Sequence, residues 1–222
     1  MKLLDGPRRE PSGPITALVV LVHGYGANGA DLIDLAEVLS PALPGTVFVA
    51  PDAPEPLPEV GVGARQWFAL TFRDPGELWH GASLAGPALD RFLDAELARY
   101  RLPPSRMALV GFSQGTIMAL HVGLRRAATP AAIVGFSGLI AGAEHLSGVI
   151  GSPPPVQLIH GEQDEVIPIE ALHMTRETLA QAQVPVEWHV RSGVGHGIDP
   201  IGLKLAGHFL AQTLRPGADR TG

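Results

Sequence analysis

The stretch that most constrains this chain is Leu109-Val110-Gly111-Phe112-Ser113-Gln114-Gly115-Thr116, where an apolar run stops at a serine set between two glycines and a helical pattern begins at once. A strand that turns directly into a helix puts the intervening serine into a strained backbone conformation. A side chain at either outer position would collide where strand and helix cross. The hydroxyl of Ser113 is thereby expected to stand clear of the sheet above a helix N-terminus, with the backbone N–H of Gln114 facing any negative charge that develops on an attacked carbonyl. Gly-x-Ser-x-Gly alone is a modest signal, and its surroundings strengthen it. Residues 106–110 read as a short buried parallel strand, and 114–126 as a helix with Ile117, Leu120 and Leu124 at helical spacing. The sequence also carries a decoy, Gly135-Phe136-Ser137-Gly138-Leu139, which ends a strand but has leucine at the second outer position. Ser137 is therefore rejected as a nucleophile.

A chain of 222 residues suits one sizeable α/β domain, here 15–214 between terminal tails at 1–14 and 215–222, and it buries a core unaided. Cysteine is absent, so neither a disulfide framework nor a cysteine zinc site exists. The first ten residues break after two leucines and do not read as a secretory signal, which points to a cytoplasmic location. The longest clean apolar run, 17–22, falls far short of the roughly 20 residues a membrane helix needs, so no stable membrane insertion is expected. A formal charge of −6 argues against a nucleic-acid partner, and the small clusters Arg8-Arg9, Arg99 with Arg101, and Arg125-Arg126 read as solvated helix ends.

Residues 1–14 contain three prolines and read as a tail or an edge lead-in. A buried strand at 15–22 then runs into His23-Gly24-Tyr25-Gly26-Ala27-Asn28-Gly29, whose glycines let backbone N–H groups approach a ligand closely. The spacing fits neither a dinucleotide nor a phosphate loop. A short amphipathic helix at 31–39 and a strand at 46–50 follow. The segment 51–75, with five prolines, Trp67, Phe68, Leu70 and Phe72, is too apolar for a solvated linker; it reads as an ordered wall near the nucleophile or as a cap on the core. Helical spacing over 77–100 carries an expected break near Gly86-Pro87. Trp79 falls in its first part, as core or as ligand contact.

After the elbow come a strand at 131–136, a connection at 138–155, and a strand at 155–160 feeding Gly161-Glu162-Gln163-Asp164-Glu165-Val166-Ile167-Pro168. Among the three acids Asp164 is preferred, because it lies past the strand end where a short side chain reaches inward. Glu162 and Glu165 are expected to face solvent. A helix at 169–181 and a strand at 186–190 lead to Ser192-Gly193-Val194-Gly195-His196-Gly197. Asp199-Pro200 then supplies the N-cap and N1 of a final helix. Of the nine histidines only His196 combines a strand-end loop with flanking glycines. His160 and His189 read as structural, and His121 and His145 as packing or surface residues.

Strands alternating with helices give a mostly parallel sheet with helices on both faces, and sites in such sheets lie beyond the C-terminal strand ends. The order Ser113, Asp164, His196 is that of α/β-hydrolases. Together with Leu21-Val22-His23-Gly24-Tyr25-Gly26, Gln66-Trp67-Phe68, Gly111-Phe112-Ser113-Gln114-Gly115 and Gly195-His196, it resembles the phospholipase/carboxylesterase group of small α/β-hydrolases over 15–213. The resemblance implies an α/β-hydrolase fold, oxyanion N–H groups from Tyr25 and Gln114, and cleavage of esters or thioesters with an apolar acyl part. Protein thioesterases of the group typically carry Gly-Leu-Gly-Asp where this chain has Gly24-Tyr25-Gly26-Ala27, and Asp where it has Ala69. Those departures favour a carboxylesterase of short to medium acyl esters over an acyl-protein thioesterase. A triad that works through an acyl-serine needs no metal and no organic cofactor. The expected partner is a small-molecule ester or thioester, met by a monomer or homodimer, with Trp67, Trp79, Leu139 and Ile167 as candidate pocket walls. A peptidase, a perhydrolase and a non-catalytic binding module are the competing readings.

Overall fold

The strand Ala17–Val22 lies inside the sheet, next to its middle strand, and is buried at every position. The computed structural model describes residues 3–71, 76–146 and 152–215. In chain order the elements are β1 (Arg8–Arg9), β2 (Ala17–Val22), α1 (Gly29–Ile33), α2 (Leu35–Leu39), β3 (Thr46–Val49), β4 (Glu55–Pro56), β5 (Arg65–Gln66), α3 (Glu77–Tyr100), β6 (Met107–Phe112), α4 (Gln114–Gly123), β7 (Ala132–Phe136), β8 (Val156–Gly161), α5 (Glu170–Gln181), β9 (Val186–Arg191) and α6 (Pro200–Thr213).

Seven strands form one sheet in the order β1-β3-β2-β6-β7-β8-β9, parallel throughout except for β1. This is an α/β-hydrolase fold, with helices on both faces as expected. The alternation of side chains along β2 feeds two cores. Leu18, Val20 and Val22 pack with α3, α4 and α5, while Ala17, Val19 and Leu21 pack with α1, α2 and α6. A parallel strand covered on both faces must be apolar at every position, which explains the unbroken run in β2. The register pairs Val22 with Gly111 and Phe112 with Phe136, so the C-terminal ends of β2, β6 and β7 form one rim.

Four local features differ from the sequence reading. The expected break in the 77–100 helix is absent: α3 runs without interruption through Pro87. Proline removes one helical hydrogen bond at a cost of roughly 3 kcal/mol. Burial of Leu89, Phe92, Leu93 and Leu97 on one face, at about 1.5–3 kcal/mol per side chain, outweighs it. The expected 31–39 helix is two short ones, the first opened by an Asn28 capping box with Asp31. α4 ends at Gly123 rather than 126. Within the 51–75 segment, β4 and β5 pair antiparallel into a small ribbon, where no regular structure was expected.

The lead-in forms one of the sheet's two edge strands, opposite β9. Arg8 of β1 donates to Glu96 at 2.7 Å, and the Glu96 side chain is buried in α3. Of the expected C-terminal tail only Arg215 lies within the described residues; Phe72 and part of the 138–155 connection also lie outside them. No helix among the described residues is long and apolar enough to cross a membrane.

Candidate active site

Ser113 joins β6 to α4 with φ 54° and ψ −118°, a combination that L residues reach only under strain. Its neighbours show what holds it there. A Cβ on Gly111 would lie 2.5 Å from the Gly115 carbonyl oxygen, and one on Gly115 would lie 1.9 Å from the Val22 carbonyl oxygen. Strand, elbow and helix therefore touch backbone to backbone, and the glycines are steric necessities. The Ser113 N–H continues the ladder to Phe136 O at 2.9 Å, and the Ser113 carbonyl accepts from Thr116 at the start of α4. Gln114 is the first residue of that helix, where backbone N–H groups have no intrahelical partner.

Asp164 and His196 come together from loops after neighbouring strands. The imidazole Nδ1 of His196 lies 2.8 Å from Asp164 Oδ2 and 3.0 Å from Oδ1. Oδ1 also accepts the N–H groups of Ile167 at 2.8 Å and Val166 at 3.0 Å. Burial pushes the Asp164 carboxyl up. The Ile167 N–H, His196 and the Val166 N–H pull it down further, and the net result lies below the ordinary carboxylate value. Asp164 is thus a buried, ionised acceptor that orients a partly exposed imidazole and leaves Nε2 on the far side of the ring.

The two loops are locked to each other. A Cβ on Gly161 would sit 2.3 Å from the carbonyl oxygens of Val194 and Gly195. Across the histidine loop Arg191 holds Asp199 through Nε and Nη2 at 3.0–3.2 Å, while Asp199 caps α6. The His196 ring lies 5.0 Å, centroid to centroid, from the ring of Phe112, the residue before Ser113. Glu162 and Glu165 face solvent, as expected. His160 is buried and lies 3.3 Å from Asp164 Oδ2 and 2.7 Å from Ile167 O, so it braces the acid's turn.

Tyr25 is exposed, at the first corner of a turn closed by Ala27 N–H to Gly24 O, with Gly26 at φ 80°. A Cβ on Gly24 would lie 3.2 Å from Ser113 Cβ, which brings this loop against the elbow.

The pocket-wall candidates are scattered. Trp67 is only 1% exposed, with its indole N–H donated to the His23 carbonyl at 2.9 Å. Trp79 stacks on His145 at 4.2 Å, meets His121 edge-on and lies under Arg125. Leu139 packs on the core, and Ile167 contributes its backbone to Asp164 and His160. A cavity of about 760 Å³ lies between the 54–71 segment and the first turns of α3, lined by Trp67, Phe68, Ala69, Thr71, Leu84 and Ala85 among others.

Ser137 takes the same kind of position as Ser113 on the next strand, with φ 44°, but is 1% exposed and precedes no helix. The sequence reading overlooked His23. It is fully buried, donates from Nδ1 to Gly24 O at 2.7 Å and accepts Ala53 N–H on Nε2 at 3.0 Å. Burial pushes its imidazolium below the ordinary value, which suits this neutral, doubly bonded ring. A histidine at the end of an apolar strand was the available signal.

Comparison with known proteins bears on this geometry. A profile described as Phospholipase/Carboxylesterase matches residues 9–214. The crystal structure of esterase PE8 superposes with a TM-score of 0.91 at 40% identity, covering 96% of this chain and 100% of that one. The acyl-protein thioesterase 1 of Gibberella zeae is 27% identical over 216 residues, covering 90% of this chain and 92% of the relative. The esterase YpfH of Escherichia coli is 24% identical over 206 residues, covering 93% and 87%.

Proposed function

Since the chain belongs to the phospholipase/carboxylesterase family of α/β-hydrolases and is a hydrolase acting on esters or thioesters, we propose that it is a serine carboxylesterase working through Ser113, His196 and Asp164. The observation that carries the reading is the strained Ser113 backbone at the N-terminus of α4, beside a ring that packs on His196. The reading requires one further contact, from the Ser113 hydroxyl to His196 Nε2.

His196 takes the hydroxyl proton as Ser113 Oγ attacks the acyl carbonyl, and the negative charge collects on the carbonyl oxygen. The N–H groups of Tyr25 and Gln114 receive it. Asp164 keeps the Nδ1 proton in place, so that Nε2 is the basic nitrogen and the imidazolium is stabilised. The proton passes to the leaving alkoxide or thiolate, an acyl-serine remains, and water repeats the sequence to release the acid.

Short to medium acyl esters are the proposed substrates. The acyl surface of this reading is the 760 Å³ cavity, where Phe68, Ala69 and Leu84 join the almost fully buried Trp67 in the lining. Likeness to the Gibberella thioesterase supports thioester cleavage as a second reading.

Ser113→Ala should leave the fold intact and lower kcat on p-nitrophenyl butyrate by roughly 10⁴- to 10⁶-fold. Ser137→Ala should change it little. A fluorophosphonate probe should label the wild type and not Ser113→Ala. Undiminished turnover in the latter sinks the assignment, and a folded wild type that never labels favours a binding module.

A further inference from the structure

The stretch Arg65-Gln66-Trp67-Phe68 is bonded to both segments that carry the proposed oxyanion donors. Toward the first segment, Gly26 N–H donates to Arg65 O at 2.8 Å and Arg65 N–H to Ala27 O at 3.1 Å. The Trp67 indole N–H reaches His23 O at 2.9 Å. Toward the second, Trp67 backbone N–H donates to Gln114 Oε1 at 2.9 Å, and Gln114 Nε2 donates to Phe68 O at 2.8 Å. Tyr25 is therefore pinned on both sides, at His23 and at Gly26 and Ala27. Gln114 is pinned through its own side chain. Trp67 alone bonds to both, and it does so from a site 1% exposed, with its ring 5.6 Å from that of His23.

Donors that stabilise an oxyanion work only if their separation is fixed before charge develops, and errors near 1 Å cost orders of magnitude in rate. Tyr25 follows β2 and Gln114 opens α4; backbone contact at Gly115 and Gly24 brings the two segments together, and the side-chain bonds of Trp67 and Gln114 tie each of them to the 65–68 stretch. We propose that Trp67 is a positioning residue for the oxyanion hole, a cross-brace that sets the spacing of the Tyr25 and Gln114 N–H groups. Trp67 also lines the 760 Å³ cavity, and the proposal gives position, not acyl contact, as its contribution to the rate. This deepens the proposed function and rests on Ser113 being the nucleophile.

Two variants test it from opposite ends. Trp67→Phe keeps a buried ring and the backbone bond to Gln114 but removes the indole N–H. Gln114→Met removes both side-chain bonds and leaves the Gln114 backbone N–H in place, so any loss it causes comes from position. Each is measured with p-nitrophenyl acetate, butyrate and octanoate, with rates expressed per serine titrated to endpoint by a fluorophosphonate. Each should lower kcat about 10- to 100-fold on all three esters, leave KM within about twofold, and weaken binding of phenylboronic acid, which forms a tetrahedral adduct, by a similar factor.

A KM that rises with acyl length at unchanged kcat overturns the proposal in favour of an acyl wall. A loss that vanishes once titratable serine is counted overturns it in favour of a fold-stabilising role. Wild-type protein in which Ser113 never labels removes the nucleophile reading, and the proposal with it.

Discussion

Asp164 shows how much one carboxylate is asked to do. It accepts two backbone N–H groups and His196 while wholly removed from solvent, and stays ionised because those donors outweigh its burial. Replacing it with asparagine preserves shape but offers an amide N–H where His196 needs an acceptor. Asp164→Asn should therefore lower kcat by roughly 10⁴-fold, whereas Glu162→Gln and Glu165→Gln should stay near wild type. Steady-state assays on one ester at pH 7.5 decide it, and equal loss in Glu162→Gln would mean the wrong acid was chosen. The location of this residue was legible in the sequence because a glycine, a strand end and a short acid stand in one turn. The bracing by His160 and the work of Trp67 were not. His160 bonds to the Ile167 carbonyl in the turn after its own strand and Trp67 to the His23 carbonyl in a remote loop, contacts with main-chain atoms that leave no periodicity and no spacing to read.

Among elements, the β6–Ser113–α4 unit is the one the sequence specifies most tightly, since two glycines are demanded by backbone contact. Gly115→Ala would drive a methyl into the Val22 carbonyl, 1.9 Å away, and the helix cannot retreat without parting from β2. The expected result is loss of cooperative folding, or destabilisation beyond about 4 kcal/mol, seen as a lost or much lowered circular-dichroism melting transition. A variant that melts like wild type would show that α4 has room to move. The unbroken α3 marks where local rules ran out. Proline argues for a break, and only the buried face of the complete helix, invisible to a reading of seven or eight residues, decides otherwise. The β4–β5 ribbon escaped notice for the opposite reason: two-residue strands carry no alternation to detect.

For the whole molecule, one part of the response to acid comes from a histidine that plays no part in the proposed chemistry, beside the buried His23 and the depressed carboxyl of Asp164. Burial first, and then Arg125, push the His121 imidazolium from 6.5 down to about 4. The unfolded chain takes up this proton below pH 6.5 and the folded protein only near pH 4. The stability at stake is fully present above 6.5 and is lost as pH falls toward 4, by about 3 kcal/mol. Urea midpoints at pH 7.5, 5.5 and 4.5 should fall steadily for wild type and less steeply for His121→Gln; parallel curves would refute the assignment. Near the Tyr25 loop, an exposed turn and the bracing residues are neighbours in sequence. The turn at 57–64 leans on the Tyr25 loop through Val60 and exposes Val62 fully, while the braces lie just beyond it at 65–68. A change at Val62 meets only solvent, whereas one a few residues further on, at 65–68, reaches the segments around Ser113 through hydrogen bonds.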